Sequence, residues 1–173
     1  MFGEKLRLNK DAFLPGQLYI DFTDLDAVAI ESKEGYKFEE VLWGIGSPES
    51  FKISGLNEIR LLKVPDGIYF GEAANNIEIY PKDLRCAFLG YRNMRSIICD
   101  SNFKKIPENW KDPNIKILFP NGIWYAKKLP IFYFICSMKF TSRFVEINER
   151  SDELIGENTF IAIAYNHIPS HFF

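Results

Sequence analysis

Histidine is scarce in this chain. It occurs twice in 173 residues, at His167 and His171, both within the last seven. A catalytic dyad or zinc site built on imidazole would depend on that end folding back. Pro169 also lies between the two, where a regular helix that would align them is disfavoured. Cysteine is almost as sparse. Cys86, Cys99 and Cys136 are odd in number, far apart and without Cys-x-x-Cys spacing, which reads as reduced, buried thiols of a cytoplasmic protein. Cys99-Asp100 is the one candidate for thiol chemistry, but a reactive thiolate needs a base or electropositive surroundings, and Ile97 and Ile98 mark Cys99 as a packing residue. Long apolar runs are missing too. The longest, Leu129 to Met138, stops at Lys139, well short of the ~18 to 20 residues of a membrane helix. Met1–Arg7 is charged from its fourth residue and has no apolar core or cleavage signature, so neither a secretion leader nor a membrane anchor is expected. Gly44-Ile45-Gly46 lacks the third glycine of a dinucleotide fingerprint, and no phosphate loop follows it. Ser47-Pro48-Glu49 reads instead as a helix N-cap, with Gly55 as the stop. No catalytic residue, metal ligand or cofactor is assigned, and the reading leans away from an enzyme.

What the chain has in plenty is aromatic residues. Sixteen Phe, eight Tyr and three Trp make up 16% of it, within a hydrophobic content of 47%. That supply suits one β-rich core, and the length suits one domain over residues 1–173. The run 129–140 is the expected sheet centre. Phe132, Phe134, Cys136, Met138 and Phe140 share one face, and the other turns from apolar to polar at Ser137 and Lys139. Strands are also expected over 18–22, 59–62, 77–80, 96–100, 115–118, 143–147 and 159–165, the last near the sheet centre. A hairpin is expected over 27–43, although a helix over 36–43 is open. Residues 81–90 suit either a helix or a strand, and 107–111 suit one helical turn. Leu14-Pro15-Gly16-Gln17 reads as a turn. Val64-Pro65-Asp66-Gly67-Ile68-Tyr69-Phe70 and Phe119-Pro120-Asn121-Gly122-Ile123-Trp124-Tyr125 repeat one pattern. Pro, Asp or Asn, and Gly in that order predict a hairpin turn at each. The fold class is therefore α+β and β-dominated, a single domain with a largely antiparallel twisted sheet built from hairpins and a few short helices.

Charge is unevenly spread. Residues 1–50 carry five basic and ten acidic side chains, and residues 101–150 carry nine and four, within a net charge of -2. Asp21, Asp24, Asp26, Glu31, Glu34, Glu39 and Glu40 lie within twenty residues of one another, against only Lys33 and Lys37. The three aspartates lack the full calcium-loop pattern, and Asp24 reads as a turn or helix cap. The stretch as a whole is either a solvated face or a docking surface for a basic protein, where complementary charge raises the association rate. In overall profile the chain is similar to the small cytoplasmic proteins with which bacteria neutralise their own toxins. That resemblance implies a non-enzymatic, immunity-type protein that occludes a basic partner, such as a toxin domain, with this acidic region. Two other readings use other residues. The aromatics could line a small-molecule or catalytic pocket. Alternatively, the basic residues of 92–128, with Tyr91, Trp110, Trp124 and Tyr125 to stack bases, could bind nucleic acid, although the acidic total and the lack of a recognition motif weigh against it.

Overall fold

The computed structural model describes residues 6–9, 12–22, 36–39, 44–45, 55–72, 77–80, 86–126 and 133–165. In chain order these form β1 (Leu6–Asn9), β2 (Leu18–Asp21), β3 (Tyr36–Glu39), β4 (Gly44–Ile45), β5 (Leu56–Lys63), β6 (Ile77–Tyr80), β7 (Cys86–Phe88), helices α1 (Tyr91–Ile97) and α2 (Asp100–Phe103), then β8 (Lys116–Ala126), β9 (Tyr133–Lys139), β10 (Val145–Arg150) and β11 (Thr159–Tyr165). Single 3₁₀ turns cover Phe70–Glu72 and Glu108–Lys111. The main sheet runs in the order β10-β9-β8-β11-β5-β2 and is antiparallel except where β8 meets β11. Apart from it, β1 and β6 pair in parallel. The chain is thus a β-dominated α+β fold, and β8, β9 and β10 form a meander of consecutive hairpins.

Two cores follow from the alternation of side chains across the strands. Leu18, Ile20, Ile59, Leu61, Ile117, Phe119, Cys136, Met138 and Phe140 face one side, where they meet Met94, Ile97 and Trp110 from the helical segment. Leu62, Leu118, Ile135, Ile161 and Ile163 face the other, with Val64, Phe70 and Ile155 over them. The cover on this second side is a ribbon of two irregular segments. Gly67 donates to Ile155, Ile155 to Ile68, Phe70 to Glu153 and Gly71 to Ser151, all backbone bonds of 2.7–3.0 Å. Pro65-Asp66-Gly67 starts the ribbon as the expected turn, with Gly67 at a φ of 86°, but the chain then pairs with residues 151–155 and makes no hairpin with β5.

The second Pro-Asn-Gly repeat is not a turn at all. Residues 116–126 are one strand, and the register on β9 jumps from Phe119↔Cys136 to Ile123↔Ile135. Pro120, Asn121 and Gly122 are the surplus, a bulge in which a missing proline N–H removes no ladder bond. The sheet forks at this bulge. Before it, β8 lies beside β11; after it, β8 lies beside β3, and β7 takes the vacated place along β11. Leu89 fills the gap, donating to Ala162 at 3.3 Å and accepting from the Asn121 backbone at 3.1 Å. The Asn121 side chain, 4% exposed, donates to the Phe88 carbonyl at 3.1 Å. Gly90 is pressed against the same residue, since a Cβ there would meet the Asn121 carbonyl oxygen at 2.5 Å.

Several expectations need correction. Among the described strands β9 is second from the sheet edge, and β8 and β11 hold the centre. Residues 96–100 are not a strand: Ser96 and Ile97 end α1, Ile98 and Cys99 link it to α2, and Asp100 opens α2. Tyr91, Met94 and Ile97 recur at helical spacing and bury one face of α1, while the amide N–H of Gly90 donates to the Asn93 side chain at 3.1 Å. Residues 36–39 are a strand, as expected for the second arm of the hairpin, and 86–88 take the strand alternative of the 81–90 segment. Ser137 is fully buried although its face was expected to turn wet, and in β10 Glu149 is buried while Val145 is 44% exposed. The hairpin over 27–35, the helix after Ser47 and both histidines lie outside the described residues.

If the fork depends on this contact, Gly90→Ala should cost roughly 1–3 kcal/mol through overpacking against backbone. Asn121→Asp should cost about as much by losing the donor to Phe88. Urea unfolding of both variants checks this, and costs under about 0.5 kcal/mol would remove the fork's dependence on these residues.

Candidate functional site

Of the seven acidic residues singled out, Asp24, Asp26, Glu31, Glu34 and Glu40 lie outside the described residues. Asp21 is exposed at the end of β2, opposite Leu56 of β5. The Glu39 backbone lies opposite Ile123 on the far branch of the fork. β5, β11 and β8 stand between the two strands. The described ends of the acidic region therefore sit on different strands rather than side by side.

The surroundings of Asp21 follow from period-two alternation. Leu18, Ile20 and Phe22 point into the first core, which leaves Tyr19 and Asp21 on the other side with Leu56, Glu58 and Arg60 of β5. Tyr19 is 51% and Leu56 72% exposed. The Tyr19 hydroxyl donates to Glu58 at 2.8 Å, and Arg60 donates to Glu58 at 3.2 Å and to Gln17 at 3.1 Å. The Arg60 guanidinium also lies over the Tyr165 ring, 4.9 Å from its centre. The bond to Glu58, helped by desolvation and the carboxylate's charge, holds the Tyr19 phenol above its usual pKa. The result is a corner of the sheet with an aromatic, an aliphatic and fixed charges facing water. Such a mix suits protein contact more than chemistry. Leu56 drew no notice in the sequence, because its exposure depends on which face β5 buries.

Two of the three cysteine side chains, those of Cys99 and Cys136, are among those described. Cys136 is buried, with its Sγ 3.3 Å from the Met94 sulfur, and is a packing residue. Cys99 is exposed, contrary to expectation, because it caps α2 instead of ending a strand. Burial works to raise its thiol pKa, but hydrogen bonds from the Ser101 hydroxyl and from the Asn102 and Ser101 backbones outweigh it and leave the pKa lowered. Among the described residues no group of three or more His, Cys, Asp or Glu side chains could hold a metal ion. None of the described helices is long and apolar enough to cross a membrane.

The aromatics assigned to base stacking are mostly unavailable: Tyr91, Trp110 and Trp124 are each 2% exposed. Tyr91 and Trp124 meet edge to face in the core at 5.6 Å, and the Trp110 indole donates to the Pro15 carbonyl at 3.1 Å. A cleft of about 420 Å³ opens between the turns at 63–66 and 157–158, lined by Lys63, Val64, Pro65, Asp66, Glu157 and Asn158. Its lining is polar, with no aromatic side chain.

One buried polar cluster remains. Glu149 accepts a hydrogen bond from Ser137 at 2.9 Å and pairs with Lys116 at 2.6 Å, under the Phe70 ring. Ser137 is 0% exposed, which bars it from attacking a substrate. The cluster instead pins β10 to β8 across β9. Lys116→Met would leave Glu149 buried without its cation and should cost about 2–4 kcal/mol, tempered because Lys116 is partly in water. Glu149→Gln still accepts from Ser137 and leaves a lysine that can reach solvent, so it should cost less. Equal costs in denaturant titrations would remove the pin.

No model of a known protein family matches the chain, and no curated protein or solved structure matches it either.

Proposed function

We propose that this chain is a non-enzymatic binding protein that docks a basic protein partner through its acidic 21–40 region and blocks that partner's working surface, as toxin-neutralising proteins of the immunity type do. The observation that carries the reading is the corner at β2. Asp21 stands exposed there beside Tyr19 and Leu56, a charged rim next to two half- to largely exposed apolar side chains. Opposite charge speeds encounter, and desolvated aromatic and aliphatic anchors hold the complex once formed. Asp24, Asp26, Glu31, Glu34, Glu39 and Glu40 extend the acidic region along the sequence.

A small-molecule site is the second reading, favoured by the cleft at 63–66 and 157–158. Its mixed charges and lack of aromatics suit a small polar ligand rather than the aromatic-lined pocket expected from composition. Nucleic acid is the third reading, and the burial of Tyr91, Trp110 and Trp124 leaves it little to stack with.

The test begins with capture of the partner from native lysate and measurement of its association rate. The rate should fall about tenfold or more between low and physiological salt. Asp21→Lys and the double change Glu39→Lys, Glu40→Lys should each slow association further while leaving the thermal melt unchanged. A rate indifferent to salt and to these reversals would contradict the reading.

A further inference from the structure

The ribbon over the second core has an outer side built from residues other than those of the corner at β2. Ile68, Phe70 and Ile155 turn inward, so the residues between them must face out. Two of those are large and apolar. Tyr69 is 45% and Leu154 55% exposed, and they lie directly opposite each other as an antiparallel bridge. A lone exposed apolar residue is ordinary on any surface. A facing Tyr–Leu pair on a rigid ribbon forms a contiguous apolar spot.

Rigidity is visible in the ribbon's bonds. Besides the four backbone bonds between its segments, the Tyr133 hydroxyl donates to the Gly71 carbonyl at 3.1 Å, and Phe70 is 2% exposed in the core beneath. A platform held this way loses little entropy when something binds to it.

Among the described residues near the pair in sequence, acids outnumber bases. Arg150 and Asp152 neutralise each other, with a guanidinium nitrogen 2.7 Å from the carboxylate, which leaves Asp66, Glu153 and Glu157 exposed against Lys63. The cleft near one end of the ribbon brings Asp66 and Glu157 into one lining with Lys63. An apolar centre, an acidic rim and an adjoining polar cleft together form the anatomy of a protein interface complementary to a cationic surface.

We propose that the outer side of the 67–71 and 151–155 ribbon is a second docking surface, for an extended segment of a basic protein. The segment seats an apolar side chain on Tyr69 and Leu154 and places a Lys or Arg side chain in the cleft against Asp66 and Glu157. This goes beyond the reading of the 21–40 region, because it uses other residues and stands if that region binds nothing.

A phage-displayed library of random linear peptides, panned against the full chain, tests it. Enriched peptides should be basic and carry a large apolar residue. Their binding should weaken about tenfold or more for Leu154→Asp or Tyr69→Ser, should drop for the double change Asp66→Asn, Glu157→Gln, and should not respond to Asp21→Lys. Both apolar sites are half exposed, so the variants should keep the wild-type melt and near-UV dichroism. A variant that failed that control would be replaced by Leu154→Gln. Four results would overturn the proposal: no enrichment; enrichment of acidic or neutral peptides; basic peptides that ignore Tyr69 and Leu154 but need Asp21, Glu39 and Glu40; or concentration-dependent self-association, by sedimentation, that Leu154→Asp abolishes. The third would leave the 21–40 reading standing alone. The fourth would make a second copy of this chain the occupant.

Discussion

The sheet is organised by one contact, between Asn121 in the β8 bulge and the Phe88–Gly90 segment. A long central strand can keep only one neighbour on each side at a time. β8 changes its neighbour from β11 to β3 part-way along, and β11 changes from β8 to β7. Such a branch point would leave backbone groups without partners in a buried place, which is costly. Asn121 and Leu89 supply those partners, and Gly90 provides the room, because its missing side chain lets the two backbones close. The position of Trp124 against Tyr91, and therefore the seat of α1 on the first core, follows from where the bulge puts the second half of β8.

A second constraint acts at the sheet's other end. β10 is an edge strand among the described residues, in which Val145 is exposed and Glu149 is buried. An unpaired carboxylate there would be destabilising. Lys116 and Ser137 neutralise and bond it, and the ribbon closes over the top with Phe70. The same ribbon must turn alternate residues to water, so Tyr69 and Leu154 are exposed by the geometry that buries Ile68, Phe70 and Ile155. Core packing and a potential contact surface are thus two sides of one short segment. The corner at β2 arises likewise, since burying Leu18 and Ile20 obliges Tyr19 and Asp21 to face out.

Much of this was legible from local pattern. Apolar, strand-forming runs at 18–22, 59–62 and 159–165 indicated strands where strands lie, and Phe134, Cys136, Met138 and Phe140 share the face their spacing indicated. What was not legible depends on distant partners. Pro120-Asn121-Gly122 has the chemistry of a turn, and only Phe88, 33 residues earlier, makes it a bulge. Ile97-Ile98-Cys99 looks like a strand by β-branching, yet Ile97 joins Tyr91 and Met94 in α1, and Ile98 and Cys99 become the caps between the two helices, leaving Cys99 exposed. The burial of Glu149 follows from Lys116 and Ser137, which the sheet brings beside it from β8 and β9. The acidic region was visible as composition. Its arrangement was not, because strand order separates Asp21 from Glu39 by three strands.

Native-state hydrogen exchange at the Asn121 and Leu89 amides tests the fork most directly. If their bonds hold the branches together, both amides should exchange only through global unfolding, with a free energy equal to that from denaturant titration. Exchange of either amide through a local opening far below the global value would show that the branches are held elsewhere, and would contradict the central place given to Asn121.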